Sequence, residues 1–144
     1  MPHLRQVVID TTHARRSAEF WRQLLGLEYR AGHEQPGPGD NDAAGGDWLN
    51  LRSPDGVPVL AFQQLDALPR STWPEPEVPQ QLHLDLTVRD TDELGAVHQR
   101  VLALGGTLRL DRSDDPDEPL RVYEDLDGHP FCVFVADDEP AQKR

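Results

Sequence analysis

The chain has little of several features that would identify a function directly. Its 144 residues include one cysteine, Cys132, so no disulfide bond can form within the chain. No stretch approaches the roughly 18 consecutive apolar residues that a membrane-spanning helix requires. The opening residues MPHLRQ carry no apolar signal segment. We therefore expect a cytoplasmic protein that has no membrane partner.

Positive charge is also scarce. The chain has 14 Lys and Arg residues against 26 Asp and Glu residues, and its formal net charge is -12. Nucleic-acid binding requires clustered basic side chains that neutralise phosphates, so no nucleic-acid partner is expected. The acidic residues concentrate in predicted loops, where they provide a solvated surface; a preference for cationic ligands is the alternative interpretation.

Local catalytic signatures are missing too. The sequence has no P-loop, no dinucleotide-binding fingerprint, no serine nucleophile elbow and no zinc-finger spacing. Function must therefore be inferred from side chains that the fold brings together, rather than from a short motif.

What the sequence does contain is one arrangement written twice. Residues 55–58 read DGVP and residues 127–130 read DGHP, and each tetrapeptide separates two apolar, strand-like runs. Asp-Gly supplies the positive φ angle of a tight hairpin turn, so each segment predicts a β-hairpin. A strand, an amphipathic helix and a short second strand precede each hairpin. The predicted strands are 6–11, 27–30, 48–52, 59–65, 83–88, 107–110, 120–124 and 131–135, and the predicted helices are 14–25 and 91–104.

This pattern predicts an α+β fold of two βαβββ modules within a single domain of residues 1–144. The modules cover residues 3–65 and 82–136, and a proline-rich linker, 66–81, joins them. Irregular loops occupy equivalent places in the two modules. Such loops either rim a binding site or form disordered surface, and the tail, residues 137–144, is expected to fray.

Three segments resemble the vicinal oxygen chelate superfamily, which includes glyoxalase I, bleomycin-resistance proteins, extradiol dioxygenases and fosfomycin-resistance enzymes. They are FWRQLLGLEY at 20–29, DGVPVLAF at 55–62 and DGHPFCVF at 127–134. The segment QLHLDLTVRDTDEL at 81–94 is similar to the start of the second module in glyoxalase-like domains. The resemblance covers about residues 3–136. It implies a curled, mixed-sheet cup with helices on its outer face, and a homodimer.

In metal-dependent members, as the resemblance implies, the cup holds a divalent metal. The ligands come from the first and fourth strands of each module and are typically His, His or Gln, and Glu. The matching positions here are Gln6, Leu60, His83 and Cys132. Leu60 cannot coordinate a metal, and a thiolate favours a softer ion such as zinc. We therefore expect no intact metal site and no cofactor; if a divalent metal does bind, Gln6, His83 and Cys132 would hold it.

Strand alternation predicts which side chains share the cavity face. Polar groups on the two first strands are expected there together with an apolar wall from the fourth strands, counted from the Asp-Gly turns. Such a mixture is typical of a small-molecule pocket. Two aromatic residues, one in each hairpin, are further candidates. The candidate ligand-binding residues are Gln6, Asp10, Trp48, Leu60, Phe62, Thr87, Tyr123, Cys132 and Phe134.

His83 and Asp85 are the candidate catalytic residues. They lie two apart on one predicted strand, so His83 can act as a general base beside a polar neighbour; a buried, hydrogen-bonded structural histidine is the alternative. Two functions stay open: metal-independent binding of a small organic molecule, or a lyase, isomerase or dioxygenase with an altered centre. A regulatory or protein-binding scaffold is a third. The missing carboxylate ligands favour binding.

Overall fold

A computed structural model of the chain describes residues 1–136, and the tail that was expected to fray, 137–144, lies outside the described residues. The chain divides into two compact units, Met1–Pro69 and Arg70–Arg144. No helix within residues 1–136 is long and apolar enough to cross a membrane. The elements are β1 (Val7–Thr11), α1 (Ala14–Leu25), β2 (Glu28–Tyr29), a 3₁₀ turn (Ala44–Gly46), β3 (Trp48–Arg52), β4 (Pro58–Gln64), β5 (Leu84–Val88), α2 (Thr91–Ala103), β6 (Thr107–Arg112), β7 (Leu120–Glu124) and β8 (Pro130–Val135).

Each unit is one βαβββ module with a four-stranded mixed sheet. The strand order is β1-β4-β3-β2 in the first unit and β5-β8-β7-β6 in the second. In both units the first strand pairs in parallel with the fourth, and the other pairs are antiparallel. The predicted α+β class and the duplicated module are confirmed. The predicted element boundaries move by at most two residues, and the 3₁₀ turn is the one element that the sequence did not predict.

Helix α1 forms the core of the first unit with one face of its sheet. Phe20 and Trp21 on the helix are 2% and 1% exposed, and their rings meet edge to face at 5.3 Å. The helix packs on β3 and β4, whose buried side chains include Leu49 and Leu51. Each such buried side chain contributes about 1.5–3 kcal/mol of hydrophobic stabilisation. Gly26 ends the helix with a φ of 66°.

Helix α2 covers one face of the second sheet. The Asp90 carboxylate accepts a hydrogen bond from the Glu93 backbone N–H at 2.8 Å, and the Glu93 carboxylate accepts one from the Arg89 N–H at 3.0 Å. This reciprocal cap begins the helix. Leu94 and Val101 are then buried, so α2 protects one side of the sheet. In each unit we call the side turned away from its own helix the open face.

The two hairpins differ in register. In the second unit Glu124 pairs with Pro130, and the ladder continues without interruption. In the first unit Arg52 pairs with Pro58 but Leu51 pairs with Leu60. Val59 is therefore an extra residue, a β-bulge. Because side chains alternate along a strand, the residues after Val59 point to the opposite side from the one obtained by counting from the turn.

Alanine substitutions at two glycines should separate backbone strain from crowding. Gly128 and Gly56 have φ angles of 87° and 84°, so alanine at either is expected to cost about 1–2 kcal/mol. A Cβ at Gly128 would lie 3.0 Å from Arg70 Nε, whereas at Gly56 nothing lies within 4 Å. Gly128→Ala should therefore lower the free energy of unfolding in urea by more than Gly56→Ala.

The extra cost has a specific source. Arg70 donates a hydrogen bond to the Leu126 carbonyl at 3.0 Å and lies 3.6 Å from the Glu124 carboxylate. Arg70 must give by a few tenths of an ångström to admit the new Cβ, which weakens both contacts. Equal losses in the two variants would contradict this explanation. In an Arg70→Ala background, which keeps only the Cβ contact at 3.2 Å, the loss caused by Gly128→Ala should fall toward that of Gly56→Ala.

Candidate ligand-binding site

The open face of the second sheet carries most of the candidate residues. Asp85 lies beside Cys132, and Thr87 lies beside Phe134, across the parallel pair β5–β8. Val122 on β7 continues the row that contains Cys132. His83 precedes β5 by one residue and alternates onto the same face. The register thus brings the polar residues of β5 next to an apolar strip on β8 and β7.

His83 and Asp85 form an accessible pair. His83 Nε2 lies 3.1 Å from Asp85 Oδ1, and the two side chains are 41% and 56% exposed. The alternative of a buried structural histidine does not describe this residue. Nε2 is the ring nitrogen that faces the Asp85 carboxylate, and an imidazole nitrogen donates or accepts a hydrogen bond according to its tautomer. A ligand arriving from solvent can therefore meet both a hydrogen-bonding group and a carboxylate.

Cys132 lies at the centre of the same face and is half-buried. Burial raises the pKa of its thiol, and the negative charges of Asp85 and Glu118 raise it further. The protonated thiol therefore predominates at neutral pH, and the residue is a weak nucleophile. Single donor atoms of His83, Asp85 and Cys132 lie within 4.8 Å of one another.

The open face of the first sheet carries a hydrogen-bonded chain of side chains. Gln6 Oε1 accepts a hydrogen bond from Asn50 Nδ2 at 2.9 Å, and Asn50 Oδ1 accepts one from Trp48 Nε1 at 2.6 Å. Ala61 lies in the sheet between Val8 and Asn50 and is fully buried. Gln6 and Asn50 thus bond to each other across β4, and the Gln6 amide oxygen is already engaged.

The expected positions of Leu60 and Phe62 were wrong. Leu60 pairs with Val7 and Phe62 with Ile9, on the side of the sheet that α1 covers, and the two are 3% and 0% exposed. The bulge at Val59 is the cause. Both side chains belong to the core of the first unit. The open face receives Ala61 and Gln63 instead, and Gln63 lies beside the exposed side chain of Asp10.

Tyr123 also lies on the wrong side for its predicted role. It pairs with Phe131, stacks on that ring at 5.5 Å and is fully buried. Its hydroxyl shares a 2.8 Å hydrogen bond with Nδ1 of His98 on α2, and burial raises the pKa of Tyr123. Alternation along β7 gives the open face Val122 and Glu124 instead. Tyr123 is a core residue that anchors α2.

The sequence did not predict that Glu124 lies on the second open face or that Arg109 is its partner. Glu124 is 7% exposed, and its carboxylate lies 3.3 Å from Arg109 Nε and 3.6 Å from Arg70. Arg109 also donates to the Trp73 carbonyl at 3.1 Å. These contacts tie residues of the predicted linker to the second sheet. The only indication in the sequence is that Glu124 is a charged residue at an alternating position of a predicted strand.

A histidine completes the edge of β3 beside the Gln6–Asn50–Trp48 chain. Beyond the short β2, Arg30 N–H donates to the Asn50 carbonyl, and Asn50 N–H donates to His33 Nδ1, both at 3.0 Å. His33 must be neutral to accept this bond. Burial lowers the pKa of His33, and the nearby charges of Arg30 and Arg15 lower it further.

Comparison with known proteins places this fold among glyoxalase/bleomycin resistance/dioxygenase proteins. Residues 6–134 match the family model of the glyoxalase-like domain, and the chain belongs to that family. FosX of Listeria monocytogenes, a fosfomycin resistance protein, is 14% identical with a TM-score of 0.65, and the match covers 96% of this chain and 97% of that one. A glyoxalase/bleomycin resistance/dioxygenase family enzyme of Burkholderia phytofirmans is 12% identical with a TM-score of 0.62, over 91% and 96% of the chains. At such identities the likeness shows the fold alone. No curated protein matches the chain by sequence.

His33→Asn should weaken the dependence of stability on pH. The folded protein holds the pKa of His33 below its ordinary 6.5, so the unfolded chain binds the proton more readily. The stability that neutral His33 contributes is therefore complete above about pH 6.5 and is lost as the pH falls through the lowered folded pKa. Asn can place an acceptor oxygen near Nδ1 and does not titrate.

Urea unfolding between about pH 8 and about pH 5 measures this effect. His3→Asn, in the exposed start of the chain, is the matched control and should keep the wild-type pH profile. A His33→Asn profile as steep as the wild type would show that His33 does not supply this pH dependence.

Proposed function

We propose that this chain binds a small organic molecule on the open face of its second sheet and that it does so without the metal centre usual in its superfamily. The observation that carries the proposal is the composition of the second open face. His83, Asp85 and Thr87 lie there beside Phe134 and the other apolar residues of β7 and β8. A few polar groups next to an apolar surface are what orients and holds a small ligand.

The residues at the family's metal positions do not fit a hard divalent ion. Gln6 Oε1 already accepts a hydrogen bond from Asn50. Cys132 stands where the fourth strand would supply a carboxylate, and the raised pKa of its thiol keeps it protonated. A hard ion prefers ionised oxygen ligands. The proposed binding therefore relies on the side chains themselves.

The charges favour a polar or cationic ligand with an apolar part. Asp85 offers an exposed carboxylate 3.1 Å from His83 Nε2, and the whole chain carries a net charge of -12. A cationic group can pair with Asp85 while its carbon skeleton contacts Phe134. Because several structural neighbours are named as fosfomycin or bleomycin resistance proteins, antibiotics belong among the compounds to test.

Acid–base catalysis by His83 is the second candidate function. The contact with Asp85 favours it, because a carboxylate beside one imidazole nitrogen can hold the ring in one orientation. In this version Asp85 positions His83, and His83 Nδ1 accepts the proton of a bound substrate. Turnover that His83→Ala abolishes while binding remains would identify an enzyme. A homodimer and a cytoplasmic location stay predictions.

His83→Ala should weaken ligand binding and leave the fold intact. The side chain is 41% exposed, so its loss costs little stability, whereas loss of a charged hydrogen bond to a ligand costs about 1.5–3 kcal/mol, or roughly 10–100-fold in Kd. Thermal-shift screening in EDTA with cationic antibiotics, fosfomycin and small aromatic metabolites finds a ligand. Calorimetry with that ligand then compares the variants.

Tyr123→Phe is the matched control. It removes the hydrogen bond to His98 and should lower the free energy of unfolding by about 1 kcal/mol without changing Kd. The proposal fails if no compound class shifts the melting temperature. The assignment of His83 fails if His83→Ala unfolds the protein at ordinary temperature, or if Tyr123→Phe weakens binding as much.

A further inference from the structure

We propose that the second unit by itself holds a zinc ion between His83, Asp85 and Cys132. The inference goes beyond the proposed function and does not depend on it: zinc and an organic ligand would compete for His83 and Asp85, and zinc binding rests on the geometry of these side chains and Cys132 alone. It differs from the ligand set implied by the resemblance, because it takes its carboxylate from the first strand of the module and uses no residue of the first unit. Asp85 thus takes the place of Gln6 as a donor, and Cys132 suits zinc although it does not suit a hard ion.

The strand pairing places the three donors together. Asp85 and Cys132 are direct partners across β5 and β8, and side chains of such partners stand on the same face about 4.8 Å apart. His83 lies two residues before Asp85, also on that face. Ligand atoms around a tetrahedral zinc ion lie roughly 3.3–3.8 Å apart, given bond lengths of about 2.0–2.3 Å. The three donor atoms lie within 4.8 Å of one another, so small side-chain rotations suffice.

The chemistry of the donors selects zinc. Imidazole, thiolate and carboxylate are the three protein ligands that zinc uses, whereas magnesium and calcium prefer oxygen alone. One carboxylate and one thiolate also neutralise a divalent charge. Binding releases the Cys132 thiol proton to solvent, while neutral His83 keeps its single ring proton on the nitrogen that does not bind the metal. Exposure of His83 and Asp85 leaves the fourth position accessible to water.

Cobalt substitution tests the proposal without any assay of activity. Because Cys132 is the only cysteine, a thiolate-to-cobalt charge-transfer band in the near ultraviolet can arise only from this residue. We expect the full-length protein, freed of metal with a chelator, to take up one equivalent of Co²⁺ with this band and to exchange it for Zn²⁺. Zinc affinity follows from competition with a chromophoric chelator.

Three variants and one control define the ligand set. Loss of a group that merely orients a ligand costs about 10–100-fold in metal affinity, so His83→Ala, Asp85→Asn and Cys132→Ser should each weaken zinc binding by roughly 100-fold or more. Cys132→Ala serves if the serine variant does not fold, and circular dichroism reports folding. Gln6→Ala should bind zinc as the wild type does.

The outcomes decide clearly. Absence of the charge-transfer band overturns the proposal, as does zinc binding that survives Cys132→Ser, which indicates an adventitious ion only. If Gln6→Ala loses zinc binding and Asp85→Asn keeps it, the metal lies at the superfamily's usual positions instead. Ligand binding in EDTA is measured separately, so failure of the zinc site and failure of the proposed function are distinguishable.

Discussion

The parallel pairing between the first and fourth strands of each module determines what the rest of the structure can present. Parallel strands cannot be joined by a tight turn, so each module needs a crossover, and α1 and α2 provide it. Each helix then protects one face of its sheet. Asp10, Asp85 and Thr87 lie on the other face, and their partners on β4 and β8 become their neighbours. The meeting of Asp85 with Cys132 is a direct consequence.

Local pattern predicted the elements well, because their causes are local. Helix α1 was predicted at its observed bounds, since its apolar spacing and Gly26 mark both the buried face and the end. The face of β5 was also predictable, because apolar and polar residues alternate there from His83 to Val88. Alternation is absent from 57–62, where the letters are VPVLAF. Without polar residues to mark a face, the bulge at Val59 left no signal, and Leu60 and Phe62 were misplaced.

Partners distant in sequence explain the remaining differences. Gln6 bonds to Asn50, 44 residues away, and Tyr123 bonds to His98, 25 residues away. Neither spacing belongs to a helix, strand or turn, so no periodicity announces it. The resemblance matched Gln6 to a strand position that supplies a metal ligand in other members. Such a match fixes the backbone position and says nothing of the neighbours of the Gln6 side chain. Whether its oxygen is available depends on the residue that β3 places opposite, and that residue is an amide donor.

The two modules have the same strand order, but their open faces carry different side chains. On the first open face the Asn50 amide donates to the Gln6 amide oxygen and accepts from the Trp48 indole, and such a chain helps to stabilise the sheet. On the second face His83 and Asp85 remain exposed, and the only polar group of the neighbouring Cys132 side chain is a thiol. Each unit buries its core beneath its own helix, so a substitution on an open face spares that core. A duplicated module can therefore keep its pairing and core while its open face carries other side chains, as the β1–β4 and β5–β8 pairs of this chain do.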